Sequence, residues 1–107
     1  MGTNENSYEQ IAFSLILYAG DGRSLAMEAI KSAKKENFEL ASEKIEQSNK
    51  KIQQAHLLQT ELIKQMEQAT VSLLLVHAQD HVMNAISVKE MAEEFIDLYK
   101  RLSEKGD

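Results

Sequence analysis

The chain has 107 residues, no proline or cysteine, four glycines and a formal net charge of -5 at pH 7. That length supports one domain around one core. The lack of cysteine excludes disulfide frameworks, thiolate metal sites and thiol nucleophiles, and fits a reducing cytosol. The acidic balance argues against nucleic acid as the main partner, because phosphate backbones reward clustered Lys and Arg; a basic protein surface is the better match. Leu, Ala, Glu, Lys and Gln dominate, which predicts a nearly all-helical fold. Met1 to Ser7 has neither the basic region nor the apolar core of a secretory signal, and Asn6 breaks the myristoylation pattern. No run of about 18 apolar residues is available to span a membrane, so the chain reads as cytoplasmic.

The first helix is predicted over residues 7–35. It opens with Ser7-Tyr-Glu-Gln10, which has the spacing of a capping box. Ile11, Leu15, Tyr18, Gly22, Leu25 and Ala29 alternate in steps of four and three, and Ala12, Ala19, Ala26 and Ala33 recur every seven residues beside them. Gly20-Asp-Gly22 normally signals a break. The seam keeps its phase across it, which predicts a continuous helix with a close approach or mild kink there.

Glu36-Asn37 is the expected first turn, with Asn37 as cap and Glu39 in the opening turn of a second helix over 38–67. Its seam is Phe38, Ala41, Ile45, Ser48, Ile52, Ala55, Gln59, Leu62 and Met66. Glu43, Lys44, Glu46, Lys50 and Lys51 lie off that seam and read as a solvated face. A turn near Gln68 to Thr70, with Thr70 or Ser72 as cap, leads into a third helix over 70–102 and a frayed tail from Ser103. At about 100° per residue, Met91, Ala92, Phe95, Leu98, Tyr99 and Leu102 share the side of His77, and read as the apolar stripe of an ordinary amphipathic half-helix. The earlier half is apolar all round: Val71, Leu75, Val82 and Ile86 lie opposite His77, with Leu73 and Leu74 beside it. Such a helix needs cover on every side. Two partner helices cannot supply it, so a homo-oligomer is expected.

The chemistry concentrates in His77-Ala-Gln-Asp80-His81, directly after the apolar run Val71 to Val76. Helical spacing sets His77, Asp80 and His81 on one broad face, with Asn84 on the same stripe and Gln79 pointing roughly the other way. Three readings compete. His at i and i+4 with a carboxylate between them can ligate a divalent ion; the position of the general base in the zinc-protease pattern is Ala78, which excludes that mechanism. A neutral imidazole can carry a phosphoryl group covalently, with His81, Gln79 or backbone groups donating to the phosphoryl oxygens. Finally, the polar groups can be satisfied core residues that fix register. No Ser lies in a Gly-x-Ser-x-Gly elbow, which disfavours a Ser-His-Asp hydrolase. His56 reads as a surface or boundary residue.

Val76-His-Ala-Gln-Asp-His-Val-Met83, preceded by Ser72-Leu-Leu-Leu75 and followed by Val88-Lys-Glu-Met-Ala92, resembles the lactose/cellobiose-type enzyme IIA of the phosphoenolpyruvate-dependent sugar phosphotransferase system. Tyr18-Ala-Gly-Asp-Gly-Arg-Ser-Leu-Ala-Met-Glu-Ala29 and Ala55-His-Leu-Leu-Gln-Thr-Glu-Leu62 are similar to its first- and second-helix signatures, and the likeness runs from about Glu5 to Leu102. The resemblance implies an all-α, antiparallel three-helix protomer that assembles into a homotrimer. By it, His77 matches the phosphohistidine, and Asp80 the carboxylate that meets its symmetry mates around a shared ion, usually Mg²⁺. Gln79 and His81 match supporting positions beside the active His. His77 would take its phosphoryl group from HPr and pass it to a Cys of the cognate enzyme IIB during uptake of a disaccharide of the lactose, cellobiose or chitobiose class. The rival is a helical interaction or metal-binding module whose His and Asp serve structure alone.

Overall fold

The computed structural model describes residues 3–65 and 73–105, which form three α-helices: α1 (Thr3–Lys34), α2 (Phe38–Gln65) and α3 (Leu73–Lys105). Successive helices run antiparallel, and no strand occurs among the described residues. The expected turn near Gln68 to Thr70, its caps Thr70 and Ser72, and the seam residue Met66 lie outside those residues.

α1 starts at Thr3, so Ser7 sits inside the helix rather than at its cap. Its other end is closed by backbone geometry. Asn37 N–H donates to Ser32 O (2.9 Å) and Glu36 N–H to Ala33 O (2.9 Å), the paired bonds of a Schellman motif. The motif needs a left-handed residue after the helix, and Glu36 supplies it with φ of 62°. The chain then re-enters a helix at once: Asn37 Oδ1 accepts from Leu40 N–H (3.3 Å), acting as the N-cap of α2.

α1 is continuous through Gly20 and Gly22, as the unbroken seam requires. Gly22 marks the close approach. A Cβ there would lie 2.7 Å from Ile52 Cγ1, and Ser48 Oγ donates to Gly22 O at 2.6 Å. The heptad alanines Ala12, Ala19, Ala26 and Ala33 are all buried, as are Ala41 and Ala55 on α2 and Ala78, Ala85 and Ala92 on α3. Small side chains let the helix axes approach closely, so the core is a seam of alanines punctuated by Leu15, Ile52, Leu62, Val82 and Ile96. Off the α2 seam, Glu43, Glu46 and Lys50 are exposed, whereas Lys44 and Lys51 fold half-buried over α1. Lys44 pairs with Glu28 (3.0 Å) and Lys51 sits 5.3 Å from the Tyr18 ring centre.

α3 corrects the expected stripe in part: Ala92 is buried and Tyr99 packs half-buried against the core, but the other four do not. Its inward line is Ala78, Val82, Ala85, Ala92 and Ile96, while Met91, Phe95, Leu98 and Leu102 are 41–58% exposed. The fully buried positions of α3 hold small or β-branched side chains, and these bulkier apolar residues turn outward on the side of His77. Val76 and Met83 extend that exposed apolar surface, and Phe13 and Leu17 are likewise exposed on α1. One chain therefore does not enclose the apolar half of α3, whose Val76 and Met83 stay 49% and 62% exposed. The end of α3 also departs from the expected fraying: the helix continues through Lys105, and Ser103 Oγ donates to Glu36 Oε1 (2.5 Å), tying it to the α1–α2 turn.

Candidate functional site

The first half of α3 carries the site because its two sides differ. Ala78, Val82 and Ala85 press against the core, fixing the helix in rotation, and the opposite side is presented to solvent. His77 and Asp80 are exposed and His81 is half-buried. With Met83, Asn84 and Ser87 they line one open depression, at offsets of three, four, six, seven and ten residues from His77. Within one chain, therefore, His77 is not part of the core. His56 is exposed, as expected.

His77 and His81 form a pair. Their Nε2 atoms are 3.2 Å apart and the rings meet edge-to-face, with centres 4.6 Å apart and planes at 90°. One Nε2–H donates and the other Nε2 accepts, and which ring does which depends on the tautomer. Gln79 faces the other way. Its Oε1 accepts a hydrogen bond from Gln59 Nε2 on α2, and the contact is partly buried. Within the protomer Gln79 therefore joins α3 to α2 and does not reach His77.

Asp80 has no ion-pair partner among the described residues, and no three His, Cys, Asp or Glu side chains of the described chain converge on one ion. A metal at Asp80 needs ligands from elsewhere. Sequence spacing did not single out Ser87 and Met83 as site residues; Ser87 follows Asp80 by seven residues and Asn84 by three, so periodicity could have found it, whereas Met83 lies about 120° round the helix from His77. Gln59 lies on the inward seam of α2, but nothing in its spacing names Gln79 as its partner.

The arrangement offers an exposed imidazole with a neighbouring donor on an open surface. Such a site can accept a small group from another macromolecule and give it up again; it is not a cavity that encloses a substrate. A three-helix bundle that displays an exposed histidine beside a second one on its third helix is thus the class of protein defined by fold and site. The family model described as the lactose/cellobiose-specific IIA subunit of the phosphotransferase system matches residues 10–100. The lichenan-specific phosphotransferase enzyme IIA component of Bacillus subtilis is 48% identical over 100 residues, covering 91% of each chain. The N,N'-diacetylchitobiose-specific component of Escherichia coli K12 is 39% identical over 103 residues, covering 94% of this chain and 89% of its own. Among solved structures, the cellobiose-specific enzyme IIA of Bacillus anthracis superposes with a TM-score of 0.86 at 50% identity, covering 98% of this chain and 95% of its own. The chitobiose IIA of Escherichia coli, solved in complex with HPr, gives 0.84 at 38% identity, covering 90% and 96%. The chain belongs to the lactose/cellobiose-specific IIA family of the sugar phosphotransferase system. No helix among the described residues is long and apolar enough to cross a membrane.

Proposed function

We propose that the protein is a cytoplasmic phosphocarrier that accepts a phosphoryl group from phospho-HPr on His77 and delivers it to a Cys of its cognate enzyme IIB, for uptake of a lactose-, cellobiose- or chitobiose-class disaccharide. The observation that carries this reading is the exposed His77 imidazole held by His81 on an open surface. A family relative solved with HPr bound supports the donor. In the transfer, a lone pair of neutral His77 attacks the phosphorus and the donor imidazole leaves; the reverse geometry serves the acceptor thiolate. Positioning and charge stabilisation dominate such a step, and the His81 N–H lies close enough to His77 to donate to a phosphoryl oxygen. Gln79 supports the site by fixing α3 against α2.

The protomer works as a homotrimer. Val76, Met83, Met91, Phe95, Leu98 and Leu102 leave an apolar strip along α3 that needs cover, and an isologous or cyclic contact between identical chains is the usual way to provide it. In a trimer with α3 at its centre, three copies of Asp80 meet. Their like charges repel, and a shared Mg²⁺, a hard cation that takes oxygen ligands, offsets that repulsion. The exposed carboxylate of Asp80, without an ion-pair partner among the described residues, fits this role. Charging with labelled phospho-HPr, removing the donor and adding enzyme IIB tests the relay. The label should pass to enzyme IIB; label that never enters the chain, or stays on it, contradicts the proposal.

A further inference from the structure

We propose that His77 and His81 form an exchangeable site for a divalent transition metal, with zinc(II) as the first candidate, and that the ion competes with the phosphoryl group for His77. The competition rests on the phosphocarrier reading above; the binding does not. The Nε2 atoms are 3.2 Å apart. An ion about 2.0–2.1 Å from both, the ordinary zinc–imidazole distance, subtends an angle of about 100–106° at the metal, close to tetrahedral. Each lone pair then points only about 40° off the line between the nitrogens. The four-residue helical spacing fixes both rings on one side of α3, so little additional ordering is required.

The surroundings make the site exchangeable. His77 is exposed, His81 is half-buried, and the depression they line is open. No third His, Cys, Asp or Glu among the described residues converges with them, so water completes the coordination and the ion can leave.

Chelation changes the protons. In the free pair one Nε2 bears hydrogen; to bind the ion, that ring moves its proton to Nδ1 through solvent, and both rings present a bare Nε2. A neutral imidazole has one lone-pair nitrogen. With Nε2 on the metal and Nδ1 protonated, His77 has no nucleophilic nitrogen left, whichever one carries phosphate in transfer. Zinc thus stops the first step.

The test is a zinc titration of wild type, His77→Gln, His81→Gln and His56→Gln, with helix content followed by circular dichroism, and copper(II) as a spectroscopic probe because it binds such nitrogen sites more tightly. Wild type and His56→Gln should bind one zinc per chain, and copper should show two equivalent nitrogens by electron paramagnetic resonance. His77→Gln and His81→Gln should each lose roughly tenfold or more in affinity. Equal affinity in wild type and His81→Gln overturns the site. So does wild-type binding limited to one ion per three chains that survives His81→Gln, which assigns all of the metal to Asp80. Saturating zinc should slow phosphoryl uptake from preformed phospho-HPr, and a chelator should restore it; zinc binding without slowing overturns the competition. A chain that takes no phosphoryl group even without zinc refutes the carrier reading instead, and the titration still decides the site.

Discussion

Ser48 donates a 2.6 Å hydrogen bond to the carbonyl of Gly22, fastening α2 to α1 at a residue where a Cβ has no room. This bond explains why two glycines in the same stretch of the first helix are not equivalent. A methyl group on Gly22 would stand 2.7 Å from Ile52 Cγ1 and 3.4 Å from Ser48 O, whereas one on Gly20 meets nothing within 4 Å. Gly22→Ala is expected to destabilise by about 1–2 kcal/mol, since overpacking outweighs the gain in helix propensity. Gly20→Ala should stabilise by about 0.5–1 kcal/mol. Denaturant unfolding at fixed chain concentration measures both, and equal effects would contradict the close approach.

The α1–α2 turn contains the one non-glycine residue with positive φ among those described, Glu36 at 62°. Glycine removes the steric cost of that conformation. It also removes the carboxylate that accepts from Ser103, but that hydrogen bond is exposed and worth little. Glu36→Gly should therefore raise stability by about 0.5–1 kcal/mol, measured by the same denaturant unfolding. A drop in stability would mean that the tie to α3 outweighs the backbone strain.

Gln59 and Gln79 link α2 to the helix that carries the site. In a double-mutant cycle with alanine, the two changes should be non-additive by about 0.5–1.5 kcal/mol, because either one alone removes the same hydrogen bond. Additive effects would show that the amides act independently.

For Asp80 the expected behaviour divides metal binding from assembly. Asp80→Leu should abolish Mg²⁺ binding yet retain trimers, since apolar packing can replace a buried cluster of like charges and its ion. Sedimentation and metal analysis of the same sample check this; dissociation to monomers contradicts it.

Much of the fold is legible in the chain because helical periodicity records which residues must be small. The heptad Ala12, Ala19, Ala26 and Ala33 marks a buried line, and the unbroken phase through Gly22 marks a continuous helix; both are present. Asn37 is readable as a cap because its side chain competes well for free helix N–H groups. The sides of α3 are misassigned from sequence in part, since Ala92 and Tyr99 do pack inward, and for a physical reason. Periodicity groups apolar residues without saying which group faces the core, and here the alanine-rich line fits against α1 while the larger Met91, Phe95, Leu98 and Leu102 face out. Spacing places His77 and His81 together, but the choice between buried pair and exposed nucleophile depends on that same rotation. The Gln59–Gln79 bond depends on the relative height of two helices, which neither helix encodes alone.

The central claim is that His77 carries the phosphoryl group. Incubation with phosphoenolpyruvate, enzyme I and HPr, followed by mapping of acid-labile phosphate in wild type, His77→Gln and His56→Gln, tests it most directly. Wild type and His56→Gln should take up one phosphoryl group per chain on the peptide containing His77, and His77→Gln none. Equal labelling of His77→Gln, or no labelling of wild type, would contradict it.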